Sequence, residues 1–281
     1  MAKKYISYLG VLVLACFSFY YTDRAVDIVK RNDPIMKSIL AHSKDYTVDS
    51  VNATISNDEI TSGRNGKIVN VDKSYQNMKK IDINSDLGES FGAYKIGCDD
   101  KVIPLISSAN VACGWHAGDS GVMAKTVRLA AEAGIAAGAH PGYPDLVGFG
   151  RRNMNVSPAD MKTYIMYQVG ALNAFCKAEG IKMQHVKPHG AMYNMAAKDA
   201  KLADAICEGI AKVDESLILM GLSGSEMQRS AEKYGLRFAS EVFADRAYEE
   251  DGSLVARTKP GAVITDENEA VLRVVEMVKN S

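Results

Sequence analysis

Asn110-Val111-Ala112-Cys113-Gly114-Trp115-His116-Ala117-Gly118-Asp119 is the stretch whose reading decides the fold. The small and apolar run ending at Ala112 reads as a buried strand that stops at Cys113-Gly114. From Ser120 a helical pattern begins, with Val122, Val127, Leu129, Ala130 and Ala133 on its apolar side. A strand, a Gly-bracketed turn and a helix make one βα unit. The turn carries an imidazole and a carboxylate, and α/β enzymes keep their chemistry on turns of this kind, past the C-terminal ends of strands. A plain reading stands beside it, in which Asp119 caps the helix and His116 is merely exposed.

Outward from this turn, short apolar runs alternate with amphipathic stretches from Ile81 onward, the pattern of βα units and a parallel sheet. The expected strands are Ile81 to Asp86, Ser107 to Ala112, Ile135 to Ala139, Met183 to Val186, Leu217 to Leu222 and Arg237 to Val242. Ser157 as N-cap and Pro158 in the first turn start a helix that runs to about Glu179, and a last helix spans Glu267 to Lys279. In a (β/α) barrel the C-terminal ends of all strands converge on one face. Asp86, Glu89, His116, Asp119, His140, Asp145, Lys187, His189, Glu241 and Asp245 all fall at or after such ends, with Gly148-Phe149-Gly150-Arg151-Arg152 in a long loop between them. Of the five histidines, His116, His140 and His189 lie on these loops. His185 lies within the fourth strand, is read as pointing into or behind the sheet, and is left out of the site. Singly, each residue has a structural role open to it: Asp86 as a cap, Asp145 in an Asx turn, Lys187 as a solvated loop lysine. Five successive strand ends with ionisable or Gly-rich segments make a purely structural account of all of them weak.

Before Ile81 the chain changes character. Tyr5 to Tyr21 carry no charge, follow Lys3-Lys4 and end in aromatics, at the short limit of a membrane-spanning helix of roughly 17–25 residues. Val13-Leu14-Ala15-Cys16 resembles a loose lipobox, and a cleaved signal peptide is a third reading. The apolar run continues to Tyr21 with no small-x-small site after it, which favours an uncleaved anchor. Lys3 and Lys4 argue for an inside N-terminus, while Arg24, Lys30, Arg31 and Lys37 argue the reverse. The polar stretch that follows has turn signals at Asn32-Asp33-Pro34 and Gly63-Arg64-Asn65-Gly66, a short helix over Ile35 to Leu40, and strands over Tyr46 to Ile55 and Lys67 to Val71. The expected organisation is an anchor helix over residues 1–22, a spacer or small incomplete domain over 23–80, and an α/β, incomplete (β/α) barrel over 81–281. A net charge of −1 over 281 residues gives no nucleic-acid footprint, and 47% hydrophobic residues supply a core. The five cysteines are too widely and irregularly spaced for a zinc knuckle or a disulfide scaffold.

From Ile81 the sequence resembles the LamB/YcsF family, associated with the A component of the prokaryotic ATP-dependent 5-oxoprolinase. The matching blocks are Asn84 to Gly92, Ser108 to Asp119, Gly138 to Asp145, Gly148 to Arg152, Val186 to Asn194 and Glu241 to Tyr248. The resemblance implies a fold like the incomplete barrels of glycoside hydrolases and polysaccharide deacetylases. It implies an activity, opening the lactam of 5-oxoproline to glutamate with ATP hydrolysis, and two partner subunits, B and C. It also implies a further barrel portion with a His-Gly-Asp motif beyond Ser281, so the sixth strand is expected to have an unpaired edge and the enzyme to be weakened. A cytoplasmic barrel follows if the family function is retained.

An unstrained amide needs its carbonyl activated or its oxygen phosphorylated before water can open it. Lys187, with Arg151 or Arg152, suits phosphate contact. His116 and His140 suit general acid/base work, with His189 beside them. Asp86, Glu89 and Asp119 suit orienting those imidazoles or holding a divalent metal such as magnesium. Asp145, Arg151, Arg152, Glu241, Asp245 and Arg246 are assigned to substrate binding. A rival reading is a metal-dependent polysaccharide deacetylase with Asp86, His116 and His140 as ligands. A third is a membrane-tethered fragment without turnover.

Overall fold

The structure, a computed structural model, describes residues 11–15 and 80–279. Parallel strands in chain order close a barrel: β1 (Val11–Ala15), β2 (Lys80–Leu87), β3 (Ser108–Ala112), β4 (Ala136–His140), β5 (His185–Val186), β6 (Ile218–Leu222) and β7 (Arg237–Phe243). Around them lie α1 (Asp99–Val102), a 3-10 turn (Ile103–Leu105), α2 (Ser120–Ala133), α3 (Pro158–Ala178), α4 (Gly190–Ala196), α5 (Ala200–Val213), α6 (Glu226–Lys233) and α7 (Glu267–Lys279). The six strands and the long helices read from periodicity are all present, with ends shifted slightly.

The helices form for the reasons their sequences suggest. Met123, Val127 and Ala130 bury one face of α2 at helical spacing. Asp119 caps its start by accepting from the Val122 N–H, and Gly134 ends it in the left-handed conformation. In α3, Ser157 accepts from the Asp160 N–H, Pro158 opens the first turn, and Met161, Ile165, Val169, Leu172 and Cys176 form the buried stripe.

The two faces of the strands differ in chemistry. Ala109, Val111, Ala137, Ala139, Val186 and Leu219 belong to the apolar core. The alternate positions carry Asn84 and Asp86 on β2, Asn110 on β3, His140 on β4, His185 on β5 and Glu241 on β7. Lys187, just past β5, reaches Asn84 and Asp86 on β2 and Glu241 on β7. Side chains from strands so far apart in the sheet meet only inside the barrel, so its interior is polar.

β1 differs from the sequence reading. Of the anchor helix expected over residues 5–21, only Val11–Ala15 are among the described residues, and they form a strand. Among the described residues no helix is long and apolar enough to cross a membrane. A short run of Val, Leu and Ala fits a buried parallel strand as well as a helix, and periodicity does not separate the two. β1 pairs in parallel with β2, Val13 opposite Asp82, and with β7, Val13 opposite Glu241. The outer edge of β7, expected to be unpaired, therefore has a partner. The other elements expected over residues 1–79 lie outside the described residues.

One position tests the packing of the barrel interior. A Cβ on Gly138 would overlap the His185 ring, because the imidazole crosses from β5 over the β4 backbone. Gly138→Ala is expected to destabilise the protein by about 1–3 kcal/mol, the usual cost of overpacking. Urea unfolding reads this directly, and an unchanged midpoint would mean that the ring does not sit against β4.

Candidate active site

The floor of the site is an ionic network. Lys187 Nζ lies 3.0 Å from Asp86 Oδ1, 2.9 Å from Glu241 Oε1 and 3.3 Å from Asn84 Oδ1, so each of its three N–H bonds has an oxygen to meet. Asn110 joins two of these groups, its Nδ2 donating to Asn84 Oδ1 at 2.6 Å and to Asp86 Oδ1 at 2.8 Å. His185 Nε2 stands 2.7 Å from Asn110 Oδ1 and extends the network across the barrel. Burial would disfavour the Lys187 cation, but Asp86 and Glu241 more than offset it and its pKa is raised. Burial likewise pushes the Asp86 carboxyl up, yet His140 and Lys187 beside it hold it well below the usual value. Lys187 is thus a fixed ammonium and Asp86 a fixed carboxylate.

Above the floor sits a cluster of imidazoles. His140 Nδ1 is 2.7 Å from the Lys187 carbonyl, and its Nε2 is 3.3 Å from Asp86 Oδ2 and 2.9 Å from His189 Nδ1. His189 Nε2 is 2.8 Å from the Phe149 carbonyl. His116 Nε2 is 3.1 Å from Glu89 Oε1, and its ring stacks on His189 with centroids 3.7 Å apart. Burial lowers the pKa of His116 and of His189, and neighbouring imidazoles lower both further. Burial also raises Glu89, helped by the charge of Asp86.

The loops are shaped to make this cluster. The His189 N–H donates to the Pro141 carbonyl at 2.8 Å and the Ala191 N–H to the Gly150 carbonyl at 2.9 Å, stitching the loop after β5 to the loop after β4. A Cβ on Gly150 would lie 2.7 Å from His116 and 2.8 Å from His189, and its φ of +62° is one that side chains rarely adopt. Beside it, Phe149 has φ +53°, the one non-glycine residue with positive φ among those described. A conformation of that kind costs about 1–3 kcal/mol. It aims the Phe149 carbonyl at His189 and sets the ring edge-on to His116 and His189.

Asp86, Glu89, His116, His140, Lys187, His189 and Glu241 therefore meet at one mouth. The remaining expected residues do other things. Asp119 caps α2 and also accepts from the Gly92 N–H at 2.8 Å. Asp145 clamps its own loop, accepting from the Gly148 N–H at 3.0 Å and from Arg152. The Arg152 guanidinium lowers the pKa of that carboxyl. Arg246 donates to the carbonyls of Val255 and Ala262 and pins the segment after β7, and the Asp245 carbonyl accepts from the Ile264 N–H at 2.8 Å. Arg151 is exposed and lies over the Phe149 ring, 5.0 Å from its centroid. Arg257 was not singled out from sequence; desolvation first, then the charges of Arg246 and Arg151, lowers its pKa to about 10. Asn84, Asn110 and His185 were also passed over, although each sits at an inward position in register with a residue that was chosen or beside one: Asn110 opposite Asp86 and His185 opposite Gly138. Glu89, His116, His140 and His189 offer ligand atoms within 4.8 Å of one another, a different set from the Asp86, His116 and His140 expected for a metal.

The floor yields a stability prediction. Lys187→Met leaves Asp86 and Glu241 without their cation and is expected to cost about 3–5 kcal/mol, as breaking a buried pair does. Adding Glu241→Gln should recover part of that loss. Chemical denaturation of the two variants decides it, and a single substitution without effect would mean that the network is not buried as described.

Relatives of the chain are readily found. The LamB/YcsF family profile matches residues 81–281. The A component of 5-oxoprolinase from Clostridium beijerinckii is 66% identical over 204 residues, covering 73% of this chain and 80% of that protein. The protein of the same name from Bacillus subtilis is 58% identical over 202 residues, covering 72% and 79%. The crystal structure of the lactam utilization protein from Thermus thermophilus is similar with a TM-score of 0.68 at 49% identity, over 70% of this chain and 79% of that one. The chain belongs to the LamB/YcsF family.

Proposed function

We propose that this chain takes part in 5-oxoproline cleavage as the A component of an ATP-dependent 5-oxoprolinase, working with B and C subunits. The observation that carries the reading is 66% identity over 204 residues to a protein of that name, with the imidazole and carboxylate cluster falling inside the matched region. In the overall reaction water adds to the lactam carbonyl, the ring C–N bond breaks, the nitrogen leaves as an amine after taking a proton, and ATP is hydrolysed. ATP, when bound, would supply phosphorylation of the amide oxygen and so a better electrophile.

The residues divide this work by position. Lys187 is fully engaged by Asp86, Glu241 and Asn84, so it acts as a fixed positive charge beneath the reacting carbonyl rather than as a mobile phosphate ligand. His116 is neutral at rest and in contact with Glu89, which suits accepting a proton from water or passing one to the departing nitrogen. Arg151 and Arg257, both exposed, suit an anionic group, either the carboxylate of 5-oxoproline or a phosphate. Use of ATP would place the barrel on the cytoplasmic side. Attachment to a membrane through residues 5–21 is a separate proposal, and it would require Val11–Ala15 to leave the sheet.

The test is glutamate and ADP formation from 5-oxoproline and ATP by the chain alone and with B and C subunits. Turnover is expected with the partners present, and His116→Ala should lower it by about 10²-fold or more while circular dichroism shows the fold retained. Absence of ATP-dependent glutamate formation from the assembled subunits would contradict the reading, and release of acetate from an acetylated glycan instead would establish the deacetylase.

A further inference from the structure

His140 and His189 direct bare lone pairs at one another. His140 Nδ1 lies 2.7 Å from the Lys187 carbonyl and His189 Nε2 lies 2.8 Å from the Phe149 carbonyl. A carbonyl only accepts, so these two nitrogens carry the hydrogens. That leaves His140 Nε2 and His189 Nδ1 as the nitrogens without a carbonyl partner, and they stand 2.9 Å apart. Two lone pairs at that distance repel unless a cation lies between or beside them. Negative charge gathers at the same point. Glu89 Oε1 is 3.7 Å from His189 Nδ1, and Asp86 Oδ2 is 3.3 Å from His140 Nε2. Glu89 Oε2 is buried without a hydrogen-bond partner. Asp86 and Glu241 both lie within 3.0 Å of the ammonium of Lys187, so two carboxylates face one cation in the floor.

We propose that Glu89, His140 Nε2 and His189 Nδ1 bind a divalent first-row transition-metal ion. The 2.9 Å separation of the two nitrogens fits ligands about 90° apart on an ion ~2.1 Å from each. Two imidazoles and one carboxylate with open positions form a donor set for iron, manganese, cobalt or zinc, whereas magnesium favours oxygen ligands and water. His116 is close but is not a ligand. Its ring is stacked on His189, centroids 3.7 Å apart and planes 4° from parallel. An imidazole binds a metal in its own ring plane, and one ion cannot lie in two parallel planes a full ring thickness apart. The second nitrogen of His189 is the one that faces His140, so His116 is no ligand of the ion and supports it only by holding Glu89 at 3.1 Å. An ion so bound would act as a Lewis acid toward an amide carbonyl. The site follows from this chain's own tautomers and does not depend on which amide is opened.

The test uses the full chain without lactam, ATP or partner subunits. The protein is stripped with a chelator, dialysed against cobalt(II) or zinc(II), and measured by inductively coupled plasma mass spectrometry and by cobalt absorption in the visible. About one ion per chain is expected, with a raised melting temperature. His140→Ala and His189→Ala should each abolish stoichiometric binding at micromolar metal. His116→Ala should weaken it about 10–100-fold, as loss of a supporting hydrogen bond does, and keep the cobalt spectrum. Circular dichroism follows the fold of each variant. Three results would overturn the proposal: no ion above background in the parent protein, which would leave a shared proton between the rings; equal occupancy in all variants, which would mean adventitious surface binding; or His116→Ala losing metal as completely as His189→Ala. Because metal content is read without substrate, failure of 5-oxoproline turnover and failure of this site are separately visible.

Discussion

A lysine ammonium inside a barrel is tolerated only where carboxylates replace the water it has lost, and Lys187 sets that requirement for everything around it. Its partners, Asp86 and Glu241, come from β2 and β7, at the two edges of the sheet that β1 joins. The strands must therefore curl far enough to bring those ends together. The same demand explains why inward positions carry Asn84, Asn110 and His185 instead of the bulky aliphatic layers common in barrels of this type. Asn84, Asn110, Asp86 and His185 are matched to one another there, since a polar group left unmatched in such an interior is costly.

Once Lys187 and Asp86 are fixed, the chemistry above them is constrained too. The Lys187 carbonyl holds the tautomer of His140, and Asp86 stands against the other nitrogen of that ring. The loop after β4 adds the second constraint through Phe149, whose unfavourable backbone conformation is held by its neighbours and turns its carbonyl onto His189. Glu89 and His116 then complete a buried pocket where burial lowers the pKa of His116 and His189 and raises that of Glu89. Such a pocket suits proton transfer or electrophilic activation of a carbonyl better than simple binding of an anion.

Much of this was legible in the sequence because the signals are local. Apolar runs followed by Gly-rich turns located β2 to β7, and the place of Asp86, Glu89, His116, His140, Lys187 and His189 after those runs gathered them at one mouth. The illegible parts depend on distant partners. Val11–Ala15 looks equally like a stretch of apolar helix until β2 and β7 offer it two edges. Asp119 and Asp145 are chemically indistinguishable in sequence from site carboxylates, yet one caps a helix and the other clamps its loop to Arg152. Asn110 and His185 lack charge and sit inside strands, so only the register across the barrel shows that they carry the network from Asp86 inward.

The central claim is that a small lactam binds where the imidazole cluster meets the Lys187 network. A crystal structure of the chain grown with 5-oxoproline measures this most directly. The account predicts ligand density at the barrel mouth with the lactam carbonyl against the cluster of His116, His140 and His189, and its carboxylate toward Arg151 and Arg257. Ordered 5-oxoproline at another surface, with the mouth filled only by solvent, would contradict it.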